Sequence, residues 1–160
     1  MSITIGPSAF WLRTKEVVDY YAKICPVGTY LGDGSRIICK AGGTAWIVAP
    51  ACTQVGQTWN NDTTQTVGNK CCVCDWPTLC ACMVSRGFNP CDWFVPSSAQ
   101  LNNPGYVCRT QWDTFASAIY WSSTEVSSTN ACSQNFSLGS ISSCTKTFTI
   151  CVRAFRCVTY

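Results

Sequence analysis

The chain contains no histidine. That absence removes every Ser-His-Asp or Cys-His nucleophile, and with them any histidine-ligated zinc or copper. Charge is scarce as well: 12% of residues are charged, eight acidic and eleven basic, for a formal net charge of +3. The cations are scattered, so no nucleic-acid partner is expected. No two of the eight carboxylates adjoin, which argues against a calcium cage. No apolar run approaches the roughly 18 residues of a transmembrane helix, so membrane insertion is not expected. Nothing in this composition calls for a metal or a cofactor, and none is assigned.

What remains is 160 residues, 47% of them hydrophobic, including fourteen cysteines. Setting the cysteines aside leaves about 38% ordinary apolar residues, enough for one core. Serine and threonine together number 34. The composition describes a polar-surfaced, non-catalytic domain that binds or builds something.

The even cysteine count suits disulfides, which form in oxidising compartments. Yet Met1–Gly6 has no basic n-region, and Phe10–Leu12 is too short for a signal-peptide core. A protein made in a cytosol that later works outside the cell would reconcile the two. Two alternatives stay open, buried reduced thiols and a bound metal. The disulfide candidates are Cys71, Cys72, Cys74, Cys80, Cys82 and Cys91, with Cys151 and Cys157 near the C-terminus. A four-thiolate site at Cys72, Cys74, Cys80 and Cys82 would have one intervening residue per pair, where zinc sites use two to four. With Pro77, Gly87 and Pro90 as breakers, 71–91 reads as a stapled loop.

Along the chain, Val17, Tyr20, Tyr21 and Ile24 have the spacing of an amphipathic helix, predicting helix from Ser8 to Ile24. Cys25-Pro26 ends it. Gly32-Asp33-Gly34 is a turn. Arg36–Lys40 and Thr44–Ala49 predict a hairpin about Ala41-Gly42-Gly43, the second run reading as a central strand. Ser97 or Ser98 is a helix N-cap, with Trp93 expected beneath that helix, and Asn103-Pro104-Gly105 interrupts it. A second short helix is expected within Val107–Phe115. Ile119–Ser123 and Ala131–Leu138 read as strands, and Lys146–Tyr160 as one long extended run. Period two along that run puts Arg153 and Arg156 on opposite faces, so one of them points inward and bonds loop carbonyls. Tyr120 and Trp121 read as core-edge aromatics whose polar ends need partners. The sum is one α+β domain, short helices on a small, mostly antiparallel sheet, with long loops.

Four motifs then occur in order: Asp92-Trp93-Phe94-Val95-Pro96, Tyr120-Trp121-Ser122-Ser123-Thr124-Glu125, Asn135-Phe136-Ser137-Leu138-Gly139 and Val152-Arg153-Ala154-Phe155-Arg156. The series resembles the Lcl C-terminal-like (major paralogous domain) family, whose fold is C-type-lectin-like and related to the formylglycine-generating-enzyme fold. Thr44–Pro50, Asn103–Arg109 and Arg156–Tyr160 are similar to stretches of its phage versions, of the cyanophage type. The resemblance spans roughly 28–160, leaving 1–27 as an N-terminal helical segment and candidate attachment element. The chain departs from the family at Phe94, where an arginine is usual, and at Cys132, where a tryptophan is usual. The segment near 71–91 looks like a cysteine-dense insertion.

The resemblance implies a non-enzymatic phage virion surface protein, a tail-fibre or tail-tip adhesin contacting a host surface glycan or protein. It would be a homo-oligomer among other virion proteins, made in the host cytoplasm and extracellular after release. Variability in C-type-lectin-like folds lies between the last strands, which points to 122–130 and 138–146. Ser122, Ser123, Glu125, Ser127, Thr129, Asn130, Ser140 and Ser142 are the expected contacts. The alternative is a capsid decoration protein without a receptor, attached through the N-terminal helix with Phe10, Trp11 and Leu12. Formylglycine-type oxidation at a copper-bound cysteine pair such as Cys151 and Cys157 ranks lower, since fold does not imply function.

Overall fold

The computed structural model describes residues 14–59, 65–112 and 114–160. Three segments are helical enough to name: α1 (Lys15–Ile24), α2 (Pro77–Ser85) and the single turn α3 (Ser98–Gln100). Eight strands accompany them: β1 (Arg36–Ala41), β2 (Thr44–Val48), β3 (Val55–Gln57), β4 (Ile119–Glu125), β5 (Asn130–Asn135), β6 (Ile141–Thr145), β7 (Ile150–Val152) and β8 (Phe155–Thr159). They form a three-stranded sheet, β1-β2-β8, and a five-stranded sheet, β3-β7-β4-β5-β6. Every strand pair is antiparallel except β4 with β7, which touch at Tyr120 and Cys151. The α+β class read from the sequence therefore holds.

The β1–β2 hairpin forms where expected. Gly42 and Gly43 have φ of +58° and +77°, the left-handed pair that a two-residue turn needs to match strand twist. Ile38 is an extra residue in β1: Ile37 pairs with Ile47, but Cys39 pairs with the next residue, Trp46. Such a bulge breaks strict alternation, so Ile37 enters one core cluster while Ile38 and Cys39 both turn to the other.

Helix α1 ends at Cys25 as predicted, and residues 8–13 of the forecast helix, with Phe10–Leu12, lie outside the described residues. Its buried stripe is Val18 and Ala22 with Tyr21 half-buried, rotated from the forecast, and Tyr20 and Ile24 face solvent. The Val18–Ala22 side lies on the β1-β2-β8 sheet, where Asp19 pairs with Arg156 of β8.

The cysteine-dense segment is the first correction. Instead of a stapled loop it carries a short 3-10 turn at Val73–Asp75 and then α2. Val73, Trp76, Leu79 and Met83 are all fully buried, an apolar stripe at three- and four-residue spacing. Pro77 opens α2, where its missing N–H costs nothing. Gln57 accepts the Leu79 N–H at 2.9 Å, so α2 covers the edge strand β3. Docking onto the core orders this segment, and the sulfurs are left around it.

The C-terminal run is the second correction. It is two strands in different sheets, separated by a corner at Arg153-Ala154. Arg153 donates to the carbonyls of Ala49, at 2.8 Å, and Thr114, while Ala49 donates to Ala154 at 3.0 Å. The corner resets the side-chain alternation, so both arginines are buried, Arg156 against Asp19.

Ser97 caps α3 with a full capping box shared with Gln100. The helix breaks at Asn103 as expected, and the second short helix is one 3-10 turn, Arg109–Gln111. Trp93 belongs to the other core cluster, edge-on to Phe88 at 5.6 Å and under Arg156, not beneath α3. The larger cluster joins α1, α2 and inward residues of both sheets. The smaller one is aromatic, with Trp112 ringed by Phe115, Tyr120, Phe136 and Phe155.

Candidate functional site

The eight expected contact residues separate into three groups. Ser122 and Ser123 are buried in β4. The Ser122 hydroxyl donates to the Cys132 carbonyl at 2.9 Å, and Ser123 exchanges backbone hydrogen bonds with Pro96 and Lys70. Neither offers a hydroxyl to solvent, and the reason is that β4 continues through them to Glu125 before the chain turns.

Glu125 is structural too. Its carboxylate accepts the Val67 and Gly68 N–H groups at 3.0 and 2.9 Å and pairs with the Lys146 ammonium at 2.6 Å. The pair is closed to water, with side-chain exposures of 0% for Lys146 and 6% for Glu125. These donors, led by Lys146, hold the carboxyl at about 2, well below its ordinary value. Lys146 also lies 4.8 Å from the Trp59 ring, whose indole N–H donates to Ser122.

Ser127, Thr129 and Asn130 make the β4–β5 turn. The Ser127 hydroxyl accepts N–H bonds from Thr129 and Asn130, and Asn130 reaches Ser143 on β6. Thr129 is exposed. Ser140 and Ser142 are also exposed, but Ser140 lies in the β5–β6 turn at the other end of the ladder. Asn130 pairs with Thr145 and Gln134 with Ile141, so the two turns are a strand's length apart. The structure therefore does not gather the expected contacts into one site. What joins them is β6, the outer strand of its sheet, with Ile141, Ser142 and Ser143 exposed along it. The 138–146 stretch, read as a loop, is mostly this edge strand.

The cysteine expectations need correction as well. All fourteen cysteines are free thiols, including Cys71, Cys72, Cys74, Cys80, Cys82, Cys91, Cys151 and Cys157. Cys151 and Cys157 sit in different sheets, and burial raises both thiols, Cys157 to about 11. Cys72, Cys74 and Cys91 meet at the surface, where hydrogen bonding to Cys72 leads in pushing Cys74 up to about 12. Among the described residues no group of three or more potential ligands is placed to hold a metal ion. No described helix is long and apolar enough to cross a membrane.

No protein-family model and no curated protein matches the chain.

Concavities assembled from distant segments escaped the sequence reading, two of them notable. One, of about 360 Å³, has Trp93 and Arg156 at its buried side and Lys15, Asp33, Phe88 and Asp92 around it. Asp33 is held there by the Ser35 N–H and hydroxyl. The other, of about 720 Å³, is an open groove where β4 and β7 diverge, lined by Ile119, Phe148, Ile150 and Cys151. Tyr120 and Trp121 do find partners for their polar ends, on Gln54 and Gln57 respectively.

Proposed function

We propose that the chain is a non-enzymatic surface protein of a phage virion, of the tail-fibre or tail-tip type, that contacts the host cell envelope. The fold proposed for it is a C-type-lectin-like variant of the α+β class. The observation that carries this reading is the exposed β5–β6 edge, a hydroxyl-bearing strand and turn mounted on a sheet covered on both faces by core clusters. A rigid scaffold presenting Ser, Thr and Asn groups at an open edge suits recognition of a polar surface such as a glycan or protein. The four-motif series, which resembles the Lcl-like family, and the stretches Thr44–Pro50, Asn103–Arg109 and Arg156–Tyr160, which are similar to its phage versions, support the same reading. Contacts are assigned to Thr129, Ser140, Ser142 and the half-exposed Ser127 and Asn130. Ser122, Ser123 and Glu125 are withdrawn from that role.

An open edge strand also pairs readily with another chain, which favours a homo-oligomer on the particle. Capsid decoration is the second reading, favoured by the exposed Tyr20 and Ile24 on α1. Immunogold labelling of purified particles separates the two. Label at the tail tip or fibres supports the adhesin, label across the head supports decoration, and unlabelled intact particles refute both.

A further inference from the structure

We propose that Cys39 and Cys108 are an oxidation site, two thiols placed by the fold to join as a disulfide once the protein leaves a reducing cytosol. The inference rests on the proposed release from the cell, but not on receptor binding. Nothing in the sequence pairs these two cysteines, which are separated by roughly seventy residues. They are brought together by three features. The Ile38 bulge turns Cys39 out of strict alternation and onto the aromatic cluster. Cys108 lies just past the broken helix and caps the Arg109–Gln111 turn, and its side chain packs on that same cluster. Arg36, three residues before Cys39, clamps strand to turn: its guanidinium donates to the Trp112 carbonyl at 3.0 Å and to Gly28 at 2.7 Å. Both cysteines are half-buried, packed on the aromatic cluster yet reachable from the surface.

The electrostatics agree with a close pair. The Cys108 thiol is raised to about 11, by burial first and then by the charge of Cys39 and a hydrogen bond with it. The two thiols lie within hydrogen-bonding reach of each other. Oxidised glutathione is a sufficient oxidant. The Cys39 thiolate attacks one glutathione sulfur, releasing one glutathione thiolate. The Cys108 thiolate then attacks Cys39 of the mixed disulfide and releases the second. Two protein thiols lose two electrons and two protons, and one glutathione disulfide becomes two glutathione thiols. The new bond ties β1 to the turn that carries Trp112, closing a long loop and restricting the unfolded chain.

The test uses the full chain, purified under reductant, incubated with oxidised glutathione, and alkylated before non-reducing digestion with trypsin and chymotrypsin. Mass spectrometry is expected to find Ile37–Lys40 linked to the peptide holding Cys108. The Cys39–Cys108 linkage is expected to exceed every other pairing and to be absent from Cys108→Ser. The oxidised wild type should melt several degrees above its reduced form, with no such gap in Cys108→Ser. Recovery of Cys39 and Cys108 as separately alkylated thiols would overturn the proposal, as would either one joined mainly to another cysteine.

Discussion

Lys146 is the residue whose environment asks most of the fold. Its ammonium is wholly buried, and among the described residues Glu125 is the carboxylate that neutralises it, over the face of Trp59. Removing one partner of a buried ion pair strands the other charge. Lys146→Met is expected to destabilise the protein by about 3 kcal/mol, measured by urea unfolding. The pH dependence has a definite sign. Glu125 has its folded value lowered from 4.5 to about 2, so its contribution is complete above pH 4.5 and is lost as the pH falls towards 2. Thermal melts of the wild type should drop across that window, and Glu125→Gln should flatten the drop. The family resemblance makes Glu125 a contact because it falls in 122–130, expected to be a loop between late strands. Its partner lies two strands further on, and the hydrogen bonds from Val67 and Gly68 come from a segment without pattern. Long-range pairing of this kind leaves no periodic trace.

At the scale of elements, the local rules were the readable ones. The Gly42-Gly43 hairpin, the Cys25-Pro26 helix end and the serine cap are each written in adjacent residues. Ser97→Ala removes the hydroxyl that accepts the Gln100 N–H, and should cost about 1 kcal/mol by chemical denaturation. The glycines give a sharper contrast. Gly139 has φ of +80°, and a Cβ there would lie 2.7 Å from the Tyr106 ring, whereas one at Gly42 would meet nothing within 4 Å. Gly139→Ala is therefore expected to destabilise by about 2 kcal/mol, while Gly42→Asn, a residue that tolerates the left-handed region, stays within about 0.5 kcal/mol. Elements went unread where another signal covered them. The stripe Val73, Trp76, Leu79 and Met83 was visible in principle, but the cysteines interleaved with it suggested staples. The break between β7 and β8 has no turn residue at all. It is made by Arg153 anchoring to two carbonyls, so a continuous apolar run concealed a corner.

For the whole molecule, two core clusters on opposite faces of the five-stranded sheet fix the position of everything outside them. Trp112 is the hub of the aromatic cluster, and Trp112→Ala should cost about 4 kcal/mol. Its indole N–H has no hydrogen-bond partner among the described residues, so Trp112→Phe should be much milder in the same unfolding assay. With the core so arranged, β6 is left as an open edge bearing Ser142 and Ser143, and the host contact we propose falls on that edge and its turns. Adsorption competition tests this most directly: the purified chain, checked for oligomeric state, is added to host cells before the matching phage. Host contact at this edge predicts dose-dependent blocking that Ser142→Arg weakens without lowering the melting temperature. Unchanged adsorption at saturating protein, in multimerised form as well, would contradict it.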